Sequence, residues 1–325
     1  MAPPSSPADA TALAVTLGDP RGIGPEVAFR AAQTLAEDDP EARLVFVVPE
    51  GITVPSSLPY PVHPVPAWDG SEKDAGRAAA QSIEHAVGLA GEGRVGGIVT
   101  APLHKPALQA AGWDVPGQTE MLQRLSGAAT VGMLMAAEKT RLGGALRVLL
   151  ATTHIPLREV AQRVTEDLLV AQCRVLWQAL RWDWALDAPR VALCGLNPHA
   201  SDQGLFGDEE ERVFVPAVER LRAEGMDVSG PLPADTVFGR ALGGAFDAVV
   251  APYHDVGMAA FKTAAFGTGV NVTLGLPFVR TSPDHGTAFD LAGHPGRADP
   301  ASMVEALRLA RTLVRRRFDT GRADV

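Results

Sequence analysis

Residues 247–293, DAVVAPYHDVGMAAFKTAAFGTGVNVTLGLPFVRTSPDHGTAFDLAG, run from an apolar strand straight into the densest group of chemically useful side chains in the sequence. The group consists of His254, Asp255, Lys262, Asn271, Arg280, Asp284 and His285, set among glycines. The strand, residues 247–251, ends just before His254, and open parallel sheets bind ligands at the carboxyl ends of their strands. The segment therefore predicts both a parallel sheet and a ligand site at its edge.

Two earlier apolar strands also end close to a histidine. Residues 146–152 lead to His154 and residues 190–195 lead to His199, as residues 247–251 lead to His254. Imidazole is a common ligand of zinc and similar ions, and three protein ligands with one open position is typical of a catalytic metal site. Each histidine taken singly is more typical of a hydrogen-bonded loop residue, because the separations exceed those of any local metal motif.

Short apolar segments alternate with segments of helical periodicity along the chain. The predicted strands cover residues 12–17, 43–48, 97–100, 131–136, 146–152, 190–195, 247–251 and 269–276. The predicted helices cover 71–90, 165–182, 209–224 and 300–318, with Ser71 and Thr165 as N-caps, and 49–66 is expected to be irregular. This alternation predicts an α/β fold with a mainly parallel sheet flanked by helices. We expect two lobes, one from residues 1–115 and 245–325 and a central one from 116–244.

Composition excludes several classes of protein. The chain has 325 residues and a net charge of -9, with no basic cluster except Arg315–Arg317, so a nucleic-acid partner is not expected. Its two cysteines, Cys173 and Cys194, lie in a helical pattern and in an apolar strand, which favours buried free thiols in a reducing cytoplasm. No segment has the length of apolar residues that a membrane span needs, and residues 1–10 predict a frayed tail rather than a signal peptide. A soluble, cytoplasmic protein is expected.

Three further motifs each allow two interpretations. The sequence GDPRGIGPE at residues 18–26 is compatible with a phosphate cradle or with a structural strand-to-helix turn, and Pro25 suits the first position of a helix. TAPLHK at 100–105 places polar residues after a strand, where they could face a substrate. In QTE at 118–120, Thr119 could contact a substrate or cap a helix.

Together these motifs resemble the 4-hydroxythreonine-4-phosphate dehydrogenase family of vitamin B6 biosynthesis. The resemblance extends from GDPRGIGPEV through APLHK, GQTEML, LRVLLATTHIPLREV, CGLNPHASDQGLFGDEE and GPLPADTVF to residues 253–293, and so covers nearly the whole chain. DHGTAFDLAG also resembles the cofactor loop of isopropylmalate and isocitrate dehydrogenases, which share the family's fold. The resemblance implies a two-lobed fold of that type, with residues 1–115 and 245–325 on the cofactor side and dimer contacts in the central lobe.

The same resemblance implies an activity and a set of site residues. The activity is NAD-dependent oxidation of 4-phosphohydroxy-L-threonine with loss of carbon dioxide, at a site at or near the interface of a homodimer. The implied metal ligands are His154, His199 and His254, for zinc, magnesium, cobalt or manganese. The implied substrate contacts are Gln118, Thr119, Lys262, Asn271 and Arg280, and the implied cofactor loop is Asp284, His285, Gly286 and Thr287. Three residues are candidates for the proton acceptor: Asp235, Asp255 and Lys105.

Two departures from the family pattern leave the substrate open. Gln118 stands where the family has a histidine in GHTE, and Val256 stands where it has a glutamine in YHDQG. A glutamine side chain can donate a hydrogen bond but cannot become cationic. Alternatives are therefore the oxidation of D-threonate or D-erythronate 4-phosphate or of a related diol, and a catalytically silent protein that binds a phosphorylated metabolite. NADP remains an alternative to NAD, since no acidic ribose-binding fingerprint of a Rossmann domain is present.

Overall fold

The structure is a computed structural model that describes residues 11–319. The chain forms two compact units. The terminal unit comprises Met1–Ala129 and Leu276–Val325, and the central unit comprises Thr130–Gly275. These bounds differ from the expected division at 115/116 and 244/245, so that residues 245–275 belong to the central unit. The tail predicted for residues 1–10 lies outside the described residues. The consequence for function is that His154, His199 and His254 all belong to one unit.

The strands are short and, except for β3 and β8 at the ends of the strand orders given below, almost entirely buried. They are β1 (Leu13–Thr16), β2 (Leu44–Pro49), β3 (Val62–Val65), β4 (Gly97–Thr100), β5 (Gly132–Ala137), β6 (Leu146–Leu150), β7 (Arg190–Cys194), β8 (Asp227–Leu232), β9 (Ala248–Ala251), β10 (Val270–Leu274) and β11 (Val279–Pro283). In the terminal unit the order is β3-β2-β1-β4-β11, and all pairs are parallel. In the central unit the order is β10-β5-β6-β9-β7-β8, and only β5 runs antiparallel to its neighbours. The predicted α/β class with a mainly parallel sheet is confirmed.

Helices flank the strands in both units. In the terminal unit they are Gly24–Asp38, Glu72–Gly91, Lys105–Ala110, Gln118–Ser126 and Ala301–Asp319. In the central unit they are Val160–Arg163, Glu166–Trp182, Val215–Ala223, Ala234–Leu242 and His254–Ala265. The predicted caps are confirmed, because Ser71 accepts a hydrogen bond from the Asp74 amide and Thr165 accepts one from the Leu168 amide, both at 3.2 Å. From Thr11 to Asp319 there is no helix with the length and apolar character to cross a membrane.

Two local predictions were wrong, and one of the two interpretations of Thr119 is excluded. Residues 49–66 are not wholly irregular, because strand β3 (Val62–Val65) pairs with β2. Residues 209–224 do not form one α-helix: Glu210–Phe214 is a π-helical turn that leads into Val215–Ala223. Thr119 is not a helix cap, because the helix Gln118–Ser126 begins after Gly117 and has no side-chain cap. The backbone of Gly117 is extended there, so the helix start leaves the Thr119 hydroxyl available for another partner.

The core of the central unit fixes the helix that begins at His254. Phe261 is fully buried in a cluster that includes Val148, Leu150 and Val249 from the neighbouring strands. Burial of a phenylalanine side chain contributes about 2–3 kcal/mol. A Cβ on Gly257 would lie 2.6 Å from the Leu150 side chain, so only glycine permits this close approach of helix to sheet. This packing holds His254 at the carboxyl end of β9.

Candidate functional site

Three adjacent parallel strands of the central unit carry the three predicted metal-binding histidines. Strand β9 lies between β6 and β7, and it pairs in parallel with both. His154 follows β6, His254 follows β9 and His199 follows β7. Because the strands are parallel, their carboxyl ends share one edge of the sheet, and all three histidines emerge at that edge.

His154 and His254 lie close together. Their ring centroids are 5.5 Å apart, with the ring planes inclined at 43°. The backbone beyond the strands is held by hydrogen bonds between the two connections, from Ala151 N to Ala251 O (2.8 Å) and from the Thr152 hydroxyl to Pro252 O (2.7 Å). The two imidazoles therefore start from a fixed backbone and face the same small region.

The His254 ring is oriented by a neighbouring carboxylate. Its Nδ1 atom lies 2.7 Å from Asp255 Oδ1, while the Asp255 side chain is 89% exposed. A histidine that donates one ring nitrogen to a carboxylate presents the other nitrogen as a better metal ligand. This contact favours a role for Asp255 in orienting the His254 ring over a role as the proton acceptor.

His199 lies on a loop with unusual backbone geometry. Residues 199–203 all have positive φ, with His199 at φ 55° and Ala200 at φ 53°. Left-handed backbone costs about 1–2 kcal/mol for each non-glycine residue. The buried carboxylate of Glu210 offsets this cost by accepting hydrogen bonds from Leu196 N (2.8 Å), Asn197 N (2.7 Å) and Asn197 Nδ2 (2.8 Å). Backbone strain that persists because its surroundings over-determine it is typical of functional sites.

The single chain does not bring all three imidazoles into one group. Between Thr11 and Asp319, no set of three or more histidine, cysteine, aspartate or glutamate side chains is placed to hold a metal ion. His154 and His254 approach each other, whereas the ring contact recorded for His199 is with Phe206, at a centroid distance of 6.4 Å. The three-histidine metal site thus stays a prediction, and the structure brings two of its members together.

The central unit also carries three other candidate residues. Lys262 lies on the helix His254–Ala265, with its Nζ atom 5.9 Å from the ring centroid of Phe266. Asn271 lies on β10 opposite Met135, and its buried Oδ1 atom accepts no hydrogen bond from the residues described. Asp235 is exposed in the first turn of the helix Ala234–Leu242. Asn271 therefore offers a buried acceptor, whereas Asp235 is open to solvent.

In the terminal unit, Arg280 is a buried cation. It lies on β11, is 3% exposed, and donates through Nη2 to Thr100 Oγ1 (2.7 Å) and Gln118 Oε1 (2.9 Å). Burial lowers the pKa of Arg280 to about 10, although the charge of Glu120 acts in the opposite direction. The guanidinium is still cationic at neutral pH, so the terminal unit holds a desolvated positive charge at a predicted substrate contact.

Gln118 connects Arg280 to the loop after β4. Its amide nitrogen donates to Ala101 O at 3.1 Å while its amide oxygen accepts from Arg280. Lys105 is exposed at the start of the helix Lys105–Ala110, and its Cε atom would lie 3.4 Å from a Cβ at Gly117. Thr119 is partly exposed next to Gln118. The terminal unit therefore gathers Lys105, Gln118, Thr119 and Arg280 of the predicted site.

The predicted cofactor loop, residues 284–287, packs against the turn at residues 18–26. Thr287 O accepts a hydrogen bond from Ile23 N (3.0 Å), and a Cβ on Gly22 would lie 2.7 Å from that oxygen. On the other side, the Asp284 amide donates to Ser302 Oγ at 3.0 Å. The turn's own polar groups are engaged locally, since Arg21 binds the buried carboxylate of Asp19 at 2.7 Å. These contacts fit the structural interpretation of the turn and make it a support for the loop.

Sequence reasoning missed Glu210. Its two-percent exposure and its three hydrogen bonds to residues 196 and 197 make it the anchor of the His199 loop. In the sequence it stands in an amphipathic segment where an acidic residue is ordinarily a solvated one. The signal that could have found it is its position shortly after the turn at residues 196–204, because partly buried amides in such a turn need an acceptor.

Each unit has the α/β architecture of proteins that bind small molecules at the ends of their strands, with histidines at the sheet edge of the central unit and a buried arginine in the terminal unit. Within that class, the chain belongs to the family described as pyridoxal phosphate biosynthetic protein PdxA, whose model matches residues 26–310. The resemblance inferred from the sequence motifs is confirmed.

Similar proteins cover almost the full length of the chain. A 4-hydroxythreonine-4-phosphate dehydrogenase from Paracoccus denitrificans is 44% identical over 329 residues, which cover 95% of this chain and 99% of that protein. The crystal structure of a 4-hydroxythreonine-4-phosphate dehydrogenase from Klebsiella pneumoniae matches with a TM-score of 0.81 and 38% identity, covering 93% of this chain and 99% of that one. A β-decarboxylating dehydrogenase from Thermococcus kodakarensis is similar in fold alone, with a TM-score of 0.52 and 15% identity over 92% of this chain and 83% of that one.

Proposed function

We propose that this chain is a 4-hydroxythreonine-4-phosphate dehydrogenase, an oxidoreductase that acts on a CH–OH group in vitamin B6 biosynthesis. It oxidises 4-phosphohydroxy-L-threonine with NAD, and decarboxylation gives 3-amino-2-oxopropyl phosphate. The full-length relatives carry this name, at 44% identity for the Paracoccus protein. The structural observation that carries the proposal is the sheet order β6-β9-β7, which presents three histidines at one edge.

His154, His199 and His254 would hold the divalent cation. All three are imidazoles at one sheet edge, and the Asp255 contact leaves the second ring nitrogen of His254 available as a ligand. When bound, the cation would supply positive charge that favours the ionised form of the substrate hydroxyl, and NAD would provide the hydride acceptor. Zinc, manganese, cobalt and magnesium are all compatible with the imidazole set, the last with added oxygen ligands.

Chain residues bind and orient the substrate in this proposal. Arg280 supplies a desolvated cation and Lys262 a half-buried one for phosphate or carboxylate oxygens. Thr119 and Asn271 add hydrogen-bonding groups of fixed position. Residues 284–287, braced by Ile23 and Ser302, would face the cofactor. Asp235 and Lys105 remain the two candidates for the proton acceptor, because Asp255 already engages His254.

A homodimer would complete the site. Of the eight large apolar side chains that are exposed in residues 11–319, six belong to the central unit, including Leu205 and Phe206 beside the His199 loop. Leu205 and Phe206 are neighbours in the chain, and adjoining exposed apolar side chains are typical of an interaction surface. We infer that His199 faces a second copy of the chain, where it would join His154 and His254 of that copy.

Mixing two inactive variants tests this arrangement. If the site combines residues of both subunits, a hybrid of His199→Ala and His254→Ala has one complete site, and random 1:1 mixing restores about a quarter of wild-type activity. If all three histidines come from one subunit, every site in the mixture lacks a ligand and no activity returns. Refolding each variant alone is the matched control, and a mixture as inactive as the controls rejects the shared site.

The reaction itself is tested by following NADH absorbance with a divalent ion present. The proposal predicts NADH from 4-phosphohydroxy-L-threonine at a kcat/KM well above that for D-threonate or D-erythronate 4-phosphate. A preference for either sugar acid assigns the chain to that substrate instead. Ligand-induced thermal stabilisation without NADH from any of the three compounds identifies a silent binding protein and rejects the dehydrogenase.

A further inference from the structure

We propose that Gln118 is a positioning residue, whose neutral amide fixes Arg280 for an anionic substrate group and adds no charge that would weaken the attraction. The inference rests on the proposed function for the identity of the substrate, 4-phosphohydroxy-L-threonine. In this role Gln118 does not contact the substrate itself, as the resemblance implied, but orients Arg280, which does.

The orientation of the Gln118 amide is determined by its two partners. Its oxygen accepts from Arg280 Nη2 at 2.9 Å, and its nitrogen donates to Ala101 O at 3.1 Å. The reverse orientation would place an NH2 group against the guanidinium and an oxygen against a carbonyl, so both contacts would be lost. Because Ala101 follows β4 and Arg280 lies on β11, the amide links β11 to the connection after its paired strand β4.

The neutral charge of this link is what suggests a role in binding. A carboxylate at position 118 would pair more strongly with Arg280, since a charge-assisted hydrogen bond is about twice as strong as a neutral one. It could not donate to Ala101 O, however, and it would neutralise the charge that an anionic ligand meets, whereas the amide keeps both contacts and leaves that charge in place. The two groups that accept hydrogen bonds from Arg280 Nη2, the Thr100 hydroxyl and the Gln118 amide oxygen, are both uncharged. Other charged groups nearby are Glu120, which interacts with Arg280 through space, and Lys105, which packs against Gly117.

Replacement of Gln118 by glutamate separates positioning from simple anchoring. Gln118→Glu keeps the size and the acceptor for Arg280, gives up the donor to Ala101 O, and adds a negative charge beside Arg280. We expect a melting temperature close to that of the wild type, because the new ion pair offsets the lost hydrogen bond, a KM for 4-phosphohydroxy-L-threonine raised about tenfold or more, and a kcat changed much less. The rise in melting temperature caused by inorganic phosphate, relative to chloride at equal ionic strength, should shrink by at least half.

Two further variants keep the test decisive. Gln123→Glu adds the same charge to the same helix, and because Gln123 Nε2 donates to the carbonyls of Ala128 and Ala129, this variant should lose those bonds and some stability. Its KM and its phosphate response should nevertheless equal those of the wild type, because position 123 does not contact Arg280. Gln118→Met removes the acceptor without adding charge, and should lower the melting temperature and raise KM less than glutamate does. If Gln118→Glu does not fold, Gln118→Met decides the question. A KM and a phosphate response equal to those of the wild type in Gln118→Met would overturn the inference.

A wild-type phosphate response and KM in Gln118→Glu likewise overturn it, since the added charge would then be without effect on anion binding. The phosphate comparison does not require turnover. If the wild-type protein makes no NADH from 4-phosphohydroxy-L-threonine, the proposed function fails, and equal phosphate-induced shifts in wild type and Gln118→Glu still reject the role of Gln118.

Discussion

Replacement of Arg280 by methionine should weaken substrate binding strongly and cost little stability. Burial lowers the pKa of this guanidinium from 12.5 to about 10. At about 1.4 kcal/mol per pKa unit, keeping the charge buried costs about 3 kcal/mol. The hydrogen bonds to Thr100 and Gln118 offset that cost, because a bond from a charged donor contributes about 1.5–3 kcal/mol. The two effects nearly cancel, so an apolar side chain of similar length should leave the free energy of unfolding within about 2 kcal/mol of the wild type.

The loss of substrate affinity has no such compensation. One charge-assisted contact of about 1.5–3 kcal/mol corresponds to a rise in KM of about ten- to 150-fold. The assays are urea unfolding and NADH kinetics, both at pH 7. Because the folded-state pKa is lowered, the burial cost is fully present below pH 10 and declines only as the pH rises above that value. A variant that loses more than about 4 kcal/mol of stability while KM stays unchanged would refute the reasoning and make Arg280 a structural residue.

Two other predictions concern the central unit. Glu210→Gln should lower the free energy of unfolding by about 2–3 kcal/mol, because the amide has one oxygen and cannot accept from both the Leu196 amide and the Asn197 side chain as the carboxylate does. The amount of metal bound by the purified protein should fall as well. An unchanged metal content would show that Glu210 does not support metal binding through the His199 loop. Burial raises the pKa of both Cys173 and Cys194 to about 12. Neither thiol should therefore react with a disulfide reagent at pH 8 until urea unfolds the chain. Rapid reaction of the native protein would contradict their burial.

The sequence predicted those parts of the fold that rest on apolar runs. All eight predicted strands are present, because a continuous apolar segment is buried on both faces wherever it lies in a parallel sheet. The three strands that it did not predict lack such a run: β3 contains His63 and Pro64, β8 contains Gly230 and Pro231, and β11 contains Arg280, Thr281 and Ser282. Their strand conformation comes from pairing with neighbours distant in sequence, and local patterning does not encode that pairing.

The site shows the same division between local and distant information. Histidines at strand ends could be predicted, since the position of a strand end is local. The adjacency of β6, β9 and β7 could not, because strand order depends on the crossover connections. The unit boundary at Gly275 lies inside the predicted strand at 269–276, where no break in composition marks it. The role of Glu210 could not be predicted, because its partners include backbone amides of another loop and backbone amides leave no pattern in the sequence.

The most direct test of the metal-dependent mechanism is to measure bound metal and NADH formation together, in the wild type and in His154→Ala, His199→Ala and His254→Ala. One ion per active site is expected in the wild type, with metal and turnover lost together in every variant. A variant that keeps both its metal and its full rate of NADH formation would contradict the account, because that imidazole would then play no part in holding the cation.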